Sequence, residues 1–287
     1  MADETDILIR SKLHRPQITA NLVARPLLLE WLSQHRRRPI TLVSASAGYG
    51  KTTLISSWLQ TVEHPSAWLS LDENDDDLTV FLTYFIAAIQ TIFPKAGRQT
   101  QDLLVAPTLA PVPVLARTVI SELARLMDPF ILVLDDYHVI HKAAIHALLS
   151  ELLRHPSRAM HLVISTRSDP PLPIVKLRAR GQMTEIRHQE LRFKAAETTT
   201  FLQQMRIQAD DIAAASLTKK TEGWVTGLRL AALSLRHRGD INLLLNRMPE
   251  NARYVTDYLL AEVLNRLAPA IQNFRVAVSE PRMPSSL

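Results

Sequence analysis

Apolar positions run along this chain in two rhythms, and the change between them outlines a fold. The first rhythm is a set of short runs rich in apolar residues, the first of them β-branched: "PITLVSA" (39–45), "SAWLSL" (66–71), "FILVLDD" (130–136), "HLVIST" (161–166) and "MTEIRH" (183–188). Runs this short, bounded by glycine, proline or acidic residues, predict buried strands. The second rhythm fills the intervals. "KTTLISSWLQ" places Leu54, Ile55, Trp58 and Leu59 on one helical face, and "KAAIHALLSELLRH" does the same with Ile145, Leu148, Leu149 and Leu152. "LTVFLTYFIAAIQTIF" predicts a strongly apolar helix. Pro107, Pro111 and Pro113 mark a loop, and the helix after it is expected to end near Met127. Strands alternating with helices require crossover connections, hence an α/β fold with a parallel sheet covered on both faces.

Beyond Leu191 only the helical period remains, in "AAETTTFLQQM", "DIAAASLTKKTEG", "VTGLRLAALSLRHRG" and "RYVTDYLLAEVLNRL". This predicts a separate all-helical domain. The 287 residues, 47% of them hydrophobic, suffice for one large core or two smaller ones. The absence of cysteine excludes disulfides and zinc–thiolate sites and fits a reducing cytoplasm. "MADETDILIRSKLHRPQ" has no apolar signal region, and no apolar run reaches membrane-spanning length, so a cytoplasmic protein without a membrane span is expected. A net charge of +5 permits an anionic partner without requiring one.

The chemistry concentrates at the ends of the predicted strands. Between "PITLVSA" and "KTTLISSWLQ" lies Ala45-Ser-Ala-Gly-Tyr-Gly50-Lys51-Thr52, a variant of the P-loop in which Ala45 replaces the first glycine and Gly48 is an additional one. A strand–loop–helix context of this kind turns backbone N–H groups around a phosphate chain. Ala47, Gly48, Tyr49, Gly50, Lys51, Thr52 and Thr53 are the predicted cradle. Lys51 supplies a point charge to the β- and γ-phosphates, and the Thr52 hydroxyl is placed for Mg²⁺. Asp135, ending the apolar "FILVLDD" strand, is the expected second magnesium ligand, and Asp136 the expected group that orients and deprotonates water. Such an acid pair can also cap a helix. Arg167, just after "VIST", is positioned to reach a γ-phosphate; a plain surface arginine is the alternative.

Other motifs have simpler readings. The acids of "DENDDD" (72–77) suit helix capping rather than a metal site. "HRRRP" (35–39) precedes the first strand and reads as a solvated turn. His138, His141 and His146 lack a convincing third ligand; Tyr137 and His138 are expected to position the end of the acidic strand. "KLRARGQ" (176–182) could imitate the arginine-rich lid of a small-molecule kinase, but a solvated helix accounts for it.

In order, "SASAGYGKTT", "AWLSLDENDDD", "FILVLDDYH", "LVISTRSDPPLP", "LRF" and "TEGWVTGLRLAALSL" resemble the nucleotide-binding core of the large LuxR-type, ATP-dependent transcriptional regulators, within the STAND class of signal-transduction ATPases. The resemblance runs from about Ile9 to Gln272. It implies a P-loop NTPase sheet in the order 5-1-4-3-2, with an adenine pocket near "KLHRP" and "LVARPLL" drawing on His14, Arg15, Pro16, Val23 and Arg25. It also implies that "GLRLAA" corresponds to the motif that packs near the base, with Arg229 where the family has proline. The domains implied are an adenine-side segment (1–38), the NTPase (39–190), a helical lid (191–248) and the start of a winged helix with a divergent tail (249–287).

The function implied is an ATP/ADP switch with slow, Mg²⁺-dependent hydrolysis, acting with regulatory protein partners or through self-association. DNA binding is not expected of these residues, since the family places its helix-turn-helix further along. Two alternatives stand beside it. One is a P-loop enzyme acting on a separate substrate, as phosphotransferase or motor. The other is a nucleic-acid binder, supported only by basic clusters without interleaved aromatics.

Overall fold

The computed structural model describes residues 8–18, 22–236 and 240–249. Of the expected winged-helix segment (249–287), residues 250–287 lie outside the described residues. Two compact units divide the chain: Met1–Ala20 with Ala24–Leu191, and Asn21–Val23 with Arg192–Leu287.

The first unit is a five-stranded sheet of β1 (Ile40–Ser44), β2 (Ser66–Ser70), β3 (Phe130–Asp135), β4 (Met160–Thr166) and β5 (Met183–Arg187). The strands lie in the order β2-β3-β4-β1-β5, and every neighbouring pair is parallel. This is the predicted 5-1-4-3-2 order read from the other edge. Its consequence is that β1, which feeds the phosphate loop, is flanked by β4 and β5, with β3 one strand further out.

Side-chain alternation along the strands builds two cores. Ile40, Leu42, Leu69, Leu132, Leu134, Leu162 and Ile164 face one way, against α3 (Leu78–Gln90), α5 (Val112–Ala124) and α6 (Ala143–Arg154). Val43, Trp68, Ile131, Val133, Val163 and Ile186 face the other, against α1 (Pro26–Gln34) and α2 (Lys51–Thr61). Trp58 is wholly buried on that second side, and its indole N–H donates to Ser33 Oγ at 2.9 Å. Each such fully buried large side chain contributes roughly 1.5–3 kcal/mol. A short helix, α4 (Arg98–Leu104), joins α3 to α5, and α7 (Ile174–Ala179) and α8 (His188–Leu191) flank β5.

The proline-marked loop is shorter than the sequence suggests. Pro111 caps α5 and Pro113 lies in its first turn, where the missing N–H is tolerated; the helix ends at Ala124 rather than near Met127. The acids of "DENDDD" do cap. Asp77 Oδ1 accepts from the N–H groups of Thr79 and Val80 at the start of α3. Asp76 Oδ1 accepts from His141 and Lys142 N–H ahead of α6. Asp75 is fully buried and takes a 2.5 Å ion pair from Lys12, whose ammonium also lies 3.1 Å from Asp72 and over the Tyr84 ring. Thus the acidic run also fastens the "SKLHRP" segment to the sheet unit.

The second unit contains α9 (Ala195–Gln204), α10 (Asp211–Thr221), α11 (Val225–Leu235) and α12 (Ile241–Arg247) around Phe201, Leu202, Leu217, Leu228 and Leu244. Gly223 adopts φ +67°, and a Cβ there would lie 2.5 Å from the Phe193 carbonyl oxygen. The turn therefore requires glycine, and it brings the "LRF" and "TEGW" motifs together through Phe193 N–H donating to Gly223 O. Among the described residues no helix is long and apolar enough to cross a membrane.

Candidate functional site

The phosphate loop leaves β1 at Ser44 and enters α2 at Lys51. Gly48 and Gly50 both take φ +79°, the left-handed conformation that turns consecutive amides inward. Nothing stands within 4 Å of where a Gly50 Cβ would be, so backbone dihedral rather than space selects glycine there. Ala47 is exposed, Gly48 and Tyr49 are half-buried, and Thr53 is exposed on the first turn of α2. Lys51 is buried and folds back over the loop, its ammonium donating to Ala45 O at 2.8 Å and Ser46 O at 3.2 Å. Burial lowers the Lys51 pKa; Asp136 and Asp135 oppose the shift, and Arg167 adds to it.

Opposite Lys51, β3 ends on Asp135, which is 3% exposed. Thr52 Oγ1 donates to Asp135 Oδ2 at 2.8 Å, and Asp136 N–H donates to Asp135 Oδ1 at 3.0 Å. Burial pushes the Asp135 pKa up, against the hydrogen bond from Thr52. A buried carboxylate touching a hydroxyl, beside an amide-lined bend and a lysine, is the donor set that suits a phosphate chain with a divalent ion. Asp136 has φ 56°, unusual for a residue with a side chain, and its carboxylate lies 3.6 Å from His138 Nδ1. Arg167 is exposed just past β4 and, after burial, is the main influence lowering the His138 pKa. Arg167, Asp136 and His138 line one open cavity of about 440 Å³ with the Asp72–Asn74 turn.

The adenine-side candidates are placed differently. His14 and Arg15 are exposed and Pro16 is half-buried, after the short 3-10 turn Arg10–Leu13. Val23 is packed in the core of the helical unit. Arg25 donates to Leu191 O at 2.6 Å and Glu190 O at 2.8 Å, tying α1 to the end of α8. Arg229 is exposed on α11.

Sequence reasoning passed over a charged clamp beside this site. Asp169, two residues after Arg167, pairs with both terminal nitrogens of Arg187, whose Nη2 also donates to Glu185 Oε2 at 2.6 Å. Arg178 holds the other side of Glu185 at 2.6 and 2.9 Å. Arg178, with Arg187 adding, holds the Glu185 carboxyl at a pKa of about 2. Since Arg187 lies opposite Ser44 in the sheet register, the clamp joins the carboxyl ends of β4 and β5 next to the phosphate loop. The signal was the two-residue spacing of Glu185 and Arg187, which puts both on one face of a strand.

An AAA ATPase domain matches residues 26–165. The HTH-type transcriptional regulator MalT of Klebsiella pneumoniae strain 342 is 36% identical over 93% of this chain, and MalT of Yersinia pestis strain Pestoides F is 36% identical over 95%. The chain spans 30% of the length of each of these relatives. The Walker-type ATPase PABY2304 of Pyrococcus abyssi shares the fold with a TM-score of 0.53 at 14% identity, over 92% of this chain and 79% of that one. Together with the phosphate loop, the buried Asp135 and the sheet order, these likenesses identify the sheet unit as a P-loop ATPase domain like that of the MalT-type, ATP-dependent LuxR regulators.

Proposed function

We propose that this chain is the nucleotide-operated switch of a signal-responsive transcriptional regulator in the cytoplasm. It binds ATP or ADP with Mg²⁺, and hydrolysis is slow. The observation that carries the reading is the 2.8 Å contact of Thr52 with buried Asp135, behind a bend whose lysine donates to the loop carbonyls of Ala45 and Ser46.

In this reading the loop amides and Lys51 hold the β- and γ-phosphates, and Thr52 and Asp135 hold the magnesium ion, which supplies charge neutralisation when bound. Asp136 accepts the proton of the attacking water, and His138 at 3.6 Å steadies its carboxylate. The base lies toward the segment around His14, Arg15 and Pro16. Arg167 donates to the γ-phosphate and so distinguishes ATP from ADP, its loop steadied by the Asp169–Arg187 pair.

Magnitudes limit what Arg167 can do alone. One charge-assisted hydrogen bond contributes about 1.5–3 kcal/mol, some ten- to a hundredfold in relative affinity. Moving an equilibrium from 1:99 to 99:1 needs about 5.5 kcal/mol of differential binding. A complete switch between arrangements of the sheet and helical units therefore needs further contacts that respond to the γ-phosphate. Regulatory proteins or further copies of the chain are the partners that would read such a change.

The rival reading, an enzyme with an arginine lid over a separate substrate, is weakened because Arg178 of "KLRARGQ" is engaged on both sides of Glu185. Titration calorimetry tests the site itself. Lys51→Ala should lower ATP affinity at least a hundredfold while leaving the thermal unfolding midpoint of the free protein within a few degrees. Unchanged ATP binding by Lys51→Ala overturns the placement.

A further inference from the structure

At the amino ends of the parallel strands, the edge of the sheet opposite Lys51, lies a second cavity of about 620 Å³. Its wall is assembled from the starts of β1, β3 and β4 and the turns ahead of them. Four arginines meet there, Arg36, Arg37 and Arg38 from one turn and Arg158 from another, with His64 nearby. Among the described residues, no aspartate or glutamate belongs to the lining. Arg38 is aimed by Met183 O, which accepts from Nη1 at 2.8 Å. Its backbone is held by His161, buried, whose ring bridges Arg38 O at 2.6 Å and Thr41 Oγ1 at 3.0 Å. Arg36 donates to Ser33 O. Among the described residues, Arg37 and Arg158 have no carboxylate at ion-pair distance.

Guanidinium groups gathered around one concavity repel one another, and a low-dielectric wall on one side keeps water from fully screening them. The favourable counterpart is an anion with several charges close together, gripped by forked donors. The cavity's size is that of a small-ligand pocket, commonly ~300–1,000 Å³. A nucleic-acid strand would need aromatic platforms, and the one phenylalanine, tyrosine or tryptophan in the lining, Phe130, is 1% exposed and packed in the core. We propose that this cavity is a second, regulatory anion site that takes a small phosphate compound carrying several negative charges, separate from the phosphate loop on the opposite edge. "HRRRP" is then a binding turn rather than only a solvated one.

Inorganic tripolyphosphate is the probe, titrated calorimetrically into the full chain carrying Lys51→Ala so that the phosphate loop does not contribute. The expected result is one site whose affinity falls at least tenfold on adding Arg37→Gln and Arg158→Gln, and falls again as salt is raised. Arginine modification by phenylglyoxal, read by mass spectrometry on the unsubstituted protein with saturating Mg²⁺–ADP, gives an independent readout should the substituted chain not fold. Tripolyphosphate should protect Arg37 and Arg158 at least fivefold. No binding to the Lys51→Ala chain, equal binding with and without the two glutamines, or no protection overturns the proposal. So does a duplex oligonucleotide that competes at lower phosphate concentration than tripolyphosphate.

Discussion

Asp136 shows how much a single backbone angle decides. At φ 56° it is one of three non-glycine residues of positive φ among those described. The left-handed region costs most residues about 1–2 kcal/mol, and aspartate or asparagine least, because the short polar side chain bonds locally. That conformation places the carboxylate next to His138 instead of extending β3. Asp136→Asn should therefore keep wild-type stability within about 0.5 kcal/mol, whereas Asp136→Ala should lose about 1 kcal/mol more. Urea unfolding of the two variants measures the difference, and equal stabilities would refute the conformational argument. Both variants should hydrolyse ATP more slowly than the parent if Asp136 serves the water.

Among the elements, β1 and β4 are joined by more than their ladder. His161 on β4 lies between Arg38 O, just ahead of β1, and Thr41 Oγ1, within it, and it packs edge-on to Trp58 at 5.9 Å. Burial depresses its pKa to about 4, with the bond to Arg38 O resisting. The imidazole is neutral in the folded protein at neutral pH, but in the unfolded chain it takes a proton near 6.5. As pH falls below 6.5 the unfolded state binds the extra proton, so stability drops until about pH 4. The single group accounts for about 3 kcal/mol across that window. Urea unfolding between pH 7 and pH 4.5 should show this slope, and His161→Gln should flatten it while lowering stability at pH 7. A variant slope as steep as the parent's would assign the acid sensitivity elsewhere.

On the scale of the whole molecule, the distinction between a switch and a simple ATPase is where the nucleotide is felt. Mg²⁺–ADP at a hundred times its Kd stabilises the unit it binds by about 2.7 kcal/mol whatever the function. A switch must in addition make the ATP and ADP forms differ beyond the site. Hydrogen exchange with a non-hydrolysable ATP analogue and with ADP separates the two. The differences should extend from the phosphate loop and the Arg167 loop into α9–α12. Differences confined to 24–191 would leave a nucleotide-binding domain without the proposed output.

Local physics made much of this protein legible before any coordinates. A strand covered on both faces is a short, mostly apolar run, which made β1 to β4 visible, while β5 was the fainter signal, its buried Met183 and Ile186 interrupted by half-buried Glu185 and Arg187. A phosphate-turning bend needs its glycines and lysine adjacent in the chain. Those features depend on neighbours in sequence. The strand order followed from likeness to a family, because hydrophobic runs do not record which of them pair. Pairs formed across the fold left little trace: Lys12 with Asp75, Asp169 with Arg187, His161 with Thr41, and the four arginines around one cavity. Each residue of such a pair, taken alone, is an ordinary surface charge or core histidine. Only the sheet register and the packing of helices on it bring them within a few ångströms, and at that distance burial and Coulomb energy, rather than residue type, determine what they do.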